Sequence, residues 1–149
     1  MNAGQTPQEY FRLVMLTVMG QALDAAGYTL EDRPTQWAGG LFRFVKPFDD
    51  GTSAEIRIQL LTYVATEFAE PKPSRFRVSL MRGAMQRTLS ALVVEDFGVA
   101  ILPSADHWWT FQDVTSLGKA LAEAGHLIIG YGIPWLAGEL IPRKEEDEI

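Results

Sequence analysis

The chain of 149 residues contains no cysteine and only two histidines, His107 and His126. Without cysteine it can form neither a disulfide scaffold nor a zinc site built from thiolates. Thiols and imidazoles carry much of the nucleophilic and proton-transferring chemistry of proteins. An enzyme with this sequence would have to rely on carboxylates alone, and we regard it as the least favoured function class. We expect no catalytic residue, no metal site and no cofactor.

The sequence contains no long apolar run, and we expect no leader sequence. Residues 1–6 contain neither a basic nor an apolar segment, and the longest apolar run, around Leu13 to Met19, is interrupted by Thr17. Such a sequence lacks the features of a signal peptide and of a membrane-spanning helix. We therefore predict a cytoplasmic protein with no membrane partner.

The charges are acidic overall but unevenly distributed, and the formal net charge is −6. Residues 33–87 contain nine basic and five acidic side chains, whereas the rest of the chain contains four basic and fourteen acidic ones. An acidic surface repels nucleic acid, so we expect no nucleic-acid partner. The hydrophobic fraction of 47% is typical of a globular protein, and we predict one domain over residues 1–149. Residues 143–149 are predicted to form a flexible acidic tail.

The first helix has a clear start and end in the sequence. Thr6-Pro7-Gln8-Glu9 has the pattern of a capping box, which predicts a helix from Pro7 to about Ala26 with Gly27 after its end. Its apolar residues form two stripes. The stripe expected to face the core consists of Phe11, Val14, Met15, Val18 and Ala22, and the second consists of Leu13, Leu16 and Leu23. The second stripe predicts a further cover, either the last helix or a second copy of the chain in a homodimer.

Alternating apolar residues predict strands over residues 38–48, 54–64 and 75–82, with a hairpin turn at residues 49–52. Thr88 to Glu95 suits either a helical turn or a strand; we favour a strand, followed by a turn and a further strand over residues 99–102. Asp113 is predicted to cap a helix that ends at Gly130-Tyr131-Gly132. Pro134 then begins a short last helix over residues 135–140.

The predicted fold is α+β. An N-terminal helix is followed by an antiparallel meander of about four or five strands, and one or two C-terminal helices pack with it on one face of the sheet. At Gly27-Tyr28, Trp108-Trp109 and Ile133-Pro134-Trp135-Leu136 the chain resembles a group of small uncharacterised bacterial α+β domains. This resemblance implies the same order of elements and a bacterial origin. It implies no activity, because the function of that group is unknown.

Arginines supply the first candidate binding surface. Arg57, Arg75 and Arg77 lie on the polar side of their strands, Arg43 alternates with two phenylalanines, and Tyr63 shares this side. Guanidinium groups bind carboxylates and phosphates through paired hydrogen bonds, so this face could hold a small anion or an acidic protein partner. The alternative, which is more common for a one-sided sheet, is a solvated face on which Arg57 pairs with Glu55 or Glu67.

Adjacent tryptophans supply the second candidate. In a strand-like segment Trp108 and Trp109 point to opposite faces, so they cannot both enter the same core layer. One would cover a helix end while the other lines a pocket or an interface, and for either residue a core position and a contact surface are equally open. Asp106-His107 forms an unconvincing acid–base pair, because neighbouring residues of a loop seldom converge and no nucleophile motif lies nearby. The leading function is a non-enzymatic binding or protein-interaction module. The alternative is a small-ligand carrier with an apolar pocket between sheet and helices.

Overall fold

One antiparallel sheet and a layer of helices make up the fold, as the sequence predicts. The computed structural model of the chain describes residues 5–63 and 73–142. Predictions that concern Val64, Glu67 and the tail 143–149 lie outside these residues.

The helices of the described segments include three π-helical turns. The first helix comprises α1 (Pro7–Met15), π1 (Leu16–Gly20) and α2 (Gln21–Ala25), and a short α3 (Pro34–Ala38) follows it. The middle helix comprises α4 (Leu89–Ala91) and π2 (Leu92–Asp96). The closing helix comprises α5 (Val114–Leu127), π3 (Ile128–Gly132) and α6 (Ile133–Leu136).

Six strands form the described sheet. They are β1 (Thr29–Leu30), β2 (Leu41–Pro47), β3 (Ser53–Leu61), β4 (Ser74–Arg82), β5 (Met85–Thr88) and β6 (Trp109–Phe111). Neighbouring strands pair in the order of their numbers from β1 to β5, and β6 pairs with the start of β4. The sequence does not predict β1 or α3, because each is too short to show a period. The strand predicted over residues 38–48 begins too early, since residues 38–40 lie before β2.

The inner face of the sheet is apolar and buried, which confirms the alternation in the sequence. Ile56 and Ile58 on β3 have no exposed surface, and Val78 on β4 is 1% exposed. The first helix packs on this face through Phe11, and the closing helix packs on it through Gly132, where an added Cβ would lie 3.3 Å from the Leu80 side chain. The two terminal helices therefore shield one side of the sheet.

The buried stripe of the first helix differs from the prediction, which placed Val18 and Ala22 against the core. Both of these residues are exposed. A π-helical turn takes in one extra residue because its hydrogen bonds span five residues rather than four. After π1 the inward positions are therefore displaced by one residue. The buried residues of this helix are Phe11, Met15, Met19 and Leu23.

The second stripe of the first helix is mostly covered within one chain. Leu23 is fully buried and Leu16 packs against the core, whereas Leu13 is 48% exposed. Of this stripe, only Leu13 is left for a second copy of the chain to cover.

The predicted strand at residues 88–95 is wrong, because the chain forms the middle helix there. Thr88 ends β5 and becomes the N-cap, accepting a hydrogen bond of 3.2 Å from the Ala91 amide. Helical spacing buries Leu89, Leu92 and Val93 together, which a strand would place on alternate sides. The predicted strand over residues 99–102 is absent as well, since these residues form irregular structure after Gly98.

The start of the closing helix is as predicted, but its end is not. Asp113 and Ser116 form a reciprocal capping box, in which the Ser116 amide donates to the Asp113 carboxylate at 2.8 Å. The predicted break at Gly130–Gly132 is wrong, because the helix continues through π3 into α6. The burial of Gly132 against Leu80 explains why a residue that weakens helices is present there.

Tyr28 buries a hydroxyl group that has no hydrogen-bond partner among the described residues. An unpaired buried hydroxyl destabilises the folded state, because it has lost its hydrogen bonds to water. We therefore expect Tyr28→Phe to raise the free energy of unfolding at neutral pH by about 1 kcal/mol. Urea unfolding of the two proteins measures this difference.

The same hydroxyl predicts a pH dependence. Burial raises the pKa of Tyr28 from 10.0 to about 12, and the nearby Arg82 charge lowers it only in part. The unfolded chain loses this proton above about pH 10, whereas the folded protein retains it up to about pH 12. The free energy of unfolding therefore falls between these two pH values, by up to about 1.4 kcal/mol per pH unit. Tyr28→Phe lacks this contribution. An equal fall in both proteins between about pH 9 and about pH 11 would contradict the assignment.

Candidate binding site on the outer face of the sheet

Four arginines lie on the outer face of the sheet, opposite the buried face, as the alternation predicts. Arg43 on β2 is directly opposite Arg57 on β3 in the strand register. Arg75 and Arg77 on β4 are opposite Leu61 and Gln59. All four are half-buried, so their side chains lie along the sheet surface.

Arg43 and Arg57 are neutralised by carboxylates. Glu55 accepts a hydrogen bond from Arg43 and another from Arg57 at 2.9 Å, and Glu31 lies 3.7 Å from the Arg43 guanidinium. Burial alone would raise the pKa of Glu55, but the hydrogen bonds from the two arginines lower it below its ordinary value. The predicted alternative, a pair of Arg57 with Glu55, is therefore present, and both Arg43 and Arg57 are engaged by carboxylates of the protein itself.

Arg75 and Arg77 have a different environment. Their guanidinium carbons lie 4.4 and 4.8 Å from the centre of the Trp108 ring. Neither has a carboxylate partner among the described residues, and the Nε atom of Arg75 is buried there without an acceptor. Tyr63 is exposed beside them, with its ring 6.0 Å from the Arg75 guanidinium. We name Arg75, Arg77 and Trp108 the arginine clasp.

Strand pairing explains the position of Trp108. Trp109 is opposite Phe76 in the pairing of β6 with β4, so it shares the inner face and its ring stacks on Phe76 at 5.6 Å. Trp108 precedes it by one residue and points to the outer face, beside Arg77. The two tryptophans therefore have opposite orientations, as predicted. Trp109, also named as a candidate contact residue, is a buried core residue.

The clasp has the chemistry of an anion site. Stacking on an indole ring holds a guanidinium group in place while its in-plane N–H groups stay available for hydrogen bonds. A carboxylate or phosphate can accept two such bonds from one arginine.

Other sequence candidates lie elsewhere. Asp106 is exposed, and the carboxylate whose charge acts on the half-buried His107 is Glu123 of α5. Sequence reasoning missed Glu123 because sixteen positions separate it from His107 in the chain. In the β2–β3 turn, the Asp50 carboxylate accepts hydrogen bonds from Thr52 and Arg82, so it fastens the turn.

Comparisons with known proteins add no relative. No protein-family model matches the chain, and the searches of curated proteins and of solved structures find no match either. In residues 5–63 and 73–142 no group of three or more metal-ligating side chains occurs. No helix in those two ranges is long and apolar enough to cross a membrane.

Proposed function

We propose that this chain is a non-enzymatic binding module and that the arginine clasp holds a carboxylate or phosphate group of its ligand. That group belongs to a small anion or to an acidic segment of a protein partner. The observation that carries the proposal is the unequal pairing of four arginines on one face: Arg43 and Arg57 are bound to Glu55, whereas Arg75 and Arg77 stack on Trp108. The acidic net charge of −6 supports a partner other than nucleic acid, and the lack of cysteine is compatible with the cytoplasmic location that we also propose.

Citrate or phosphate is expected to raise the melting temperature of the protein. A ligand at about ten times its dissociation constant adds about 1.4 kcal/mol to stability, which is about 3–5 °C for a domain of this size. Arg75→Ala should abolish this shift, because it removes one of the two guanidinium groups of the clasp. Thermal unfolding with increasing citrate at constant ionic strength measures the effect.

Arg57→Ala is the matched control, since Arg57 lies on the same face with the same charge but pairs with Glu55. We expect this variant to retain the citrate shift. Equal losses in the Arg57 and Arg75 variants would indicate a diffuse effect of charge, and no shift in any of the proteins would reject the site.

A small-ligand carrier is the second candidate, and one cavity favours it. A space of about 460 Å³ opens between the start of the first helix, the start of α5 and the sheet, and the rings of Tyr10 and Phe111 line it. This volume lies in the range of small-molecule pockets. Saturable binding of the neutral dye Nile red that is lost in Tyr10→Ala would favour a carrier, and unchanged dye fluorescence would count against it.

A homodimer through the first helix is a separate proposal. Leu13 and Val18 of this helix are 48% and 38% exposed, and Ile129 of the closing helix, at 43%, borders the same groove as Val18. Pairing of this groove with its copy would bury Val18 and Ile129, the two exposed apolar side chains that line it. We expect light scattering to show a mass that rises with concentration toward twice 16.6 kDa.

The matched variant for the homodimer is Val18→Glu, which introduces a charge into the groove at an exposed position and replaces no buried residue. It should return the mass to that of one chain. A mass of 16.6 kDa for the unmodified protein at high micromolar concentration would reject the dimer.

A further inference from the structure

A cleft with a mixed polar and apolar lining lies on the other side of β6 from the arginine clasp. It has a volume of about 390 Å³ and opens between α5 and the loop that precedes β6. Its lining combines an aromatic floor, an apolar wall and three titratable side chains. The residues that the argument uses are Ile101, Pro103, His107, Trp109, Lys119 and Glu123.

The carboxylate in this cleft belongs to an exposed residue, Glu123, and is anchored by one hydrogen bond. The indole N–H of Trp109 donates to Oε1 of Glu123 at 3.0 Å. The indole is itself immobile, because Trp109 is 4% exposed and stacks on Phe76. The second oxygen of Glu123 makes no hydrogen bond or ion pair within the described residues, although Lys119 is only one helical turn away. One carboxylate oxygen is thus available to a ligand.

The imidazole in this cleft is also fixed. The His107 ring meets the Trp109 ring edge-on, with 4.8 Å between their centres. The buried Ser90 anchors the backbone around His107. Its hydroxyl donates a hydrogen bond to the Ala105 carbonyl at 2.8 Å and accepts one from the His107 amide at 3.2 Å. Neither ring nitrogen of His107 has a hydrogen-bond partner in the parts of the chain that the structure describes.

The protonation state of His107 decides whether its imidazole can accept a hydrogen bond from a ligand. Burial lowers the pKa of His107 from its ordinary value, and the Glu123 charge offsets the shift only in part. The lowered pKa favours the neutral imidazole, which offers one acceptor nitrogen. A carboxylate oxygen and an acceptor nitrogen border the same cleft.

We propose that this cleft binds a small organic molecule that carries a protonated amine beside an apolar or aromatic body. A primary ammonium group has three donors, which suit Glu123 and His107. Ile101, 56% exposed at the cleft, and Pro103 supply the apolar wall for the body of the ligand. Lys119 also borders the cleft, but it is exposed, and its flexible ammonium group can turn into water when a cation binds. This site is independent of the function proposed for the arginine clasp.

The test is a nuclear magnetic resonance titration of the full chain with benzylamine, observed at the indole N–H of Trp109 and the ring of His107. Benzyl alcohol is the neutral match of the probe, and benzoate is its anionic match. We expect saturable shifts with benzylamine and a loss of affinity of about tenfold in Glu123→Gln, which keeps an acceptor for the Trp109 indole. His107→Phe, which retains an aromatic edge against Trp109, should weaken binding as well.

Two controls separate this site from the rest of the molecule. Glu139→Gln removes an exposed carboxylate outside the cleft, and Arg75→Ala disables the clasp; both should bind benzylamine as the unmodified protein does. Tighter or equal binding of benzyl alcohol or benzoate would overturn the proposal. So would a Glu123→Gln variant with undiminished affinity, or the absence of any shift with benzylamine at tens of millimolar.

Discussion

Phe11→Ala should lower the free energy of unfolding by about 3–5 kcal/mol and the melting temperature by about 10 °C. The Phe11 ring is fully buried where the first helix meets the sheet. Its centre lies 5.5 Å from that of Phe42 on β2, 5.4 Å from Phe76 on β4 and 5.9 Å from Phe111 on β6. Truncation removes contacts with three strands at once and leaves a cavity that none of them can fill without moving.

Leu13→Ala is the control for this prediction. Leu13 lies two residues further along the same helix but is 48% exposed, so we expect it to cost less than about 1 kcal/mol. Urea unfolding of both variants provides the comparison. If the two substitutions cost the same, the first helix does not shield the inner face of the sheet in the way described.

Arg82→Met should cost about 2–4 kcal/mol, because Arg82 joins three separate parts of the fold. From the end of β4 it donates to Thr52 and to Asp50 in the β2–β3 turn, each at 2.9 Å, and to the backbone carbonyl of Leu136 in α6 at 2.7 Å. Its guanidinium carbon also lies 3.6 Å from the centre of the Phe48 ring. Methionine retains the packing of the side chain but none of its donors, and it leaves the Leu136 carbonyl without this partner.

The control for Arg82 is Arg33→Met. Arg33 also forms an ion pair, with Glu31 at 3.2 Å, but its side chain is 62% exposed. An exposed pair contributes less than about 1 kcal/mol, so this variant should unfold close to the unmodified protein. A difference of less than about 1 kcal/mol between the two variants would show that Arg82 does not fasten the end of the closing helix.

Regular patterns in the sequence predict the layers of the fold. Alternation places Phe42, Ile56 and Val78 on one face of the sheet, and the caps at Thr6 and Asp113 set the starts of both long helices. These features are local, because a cap involves residues three positions apart and a strand exposes its period of two over a few residues.

Features that depend on contacts between distant residues are not predicted. The π-helical turn in the first helix exchanges Val18 for Met19 at the core, and no residue in the sequence marks that change. At residues 88–95 the short apolar segment suits a helix and a strand equally, and burial under the closing helix favours the helix. Thr88 was the available signal, since threonine is a favoured N-cap residue.

The sequence predicts which arginines share the outer face of the sheet, but only part of how their charges are paired. Alternation places Arg43, Arg57, Arg75 and Arg77 on one face. Glu55 lies two residues before Arg57 on β3, so this pair is already suggested by the sequence. The contact of Glu55 with Arg43 depends on the register of β2 with β3, which the sequence does not specify. The cleft at His107 depends on the packing of α5 against β6, and no sequence motif links these segments.

The proposed function requires that an anion bind at the arginine clasp and not elsewhere on the outer face of the sheet. A citrate titration that follows the side-chain Nε–H signals of the four arginines and the indole N–H of Trp108 distinguishes these cases by nuclear magnetic resonance. We predict saturable shifts with one common dissociation constant at Arg75, Arg77 and Trp108, and unchanged signals at Arg43 and Arg57. Shifts that are largest at Arg43 and Arg57, or no saturable shift at Arg75 and Arg77, would contradict it.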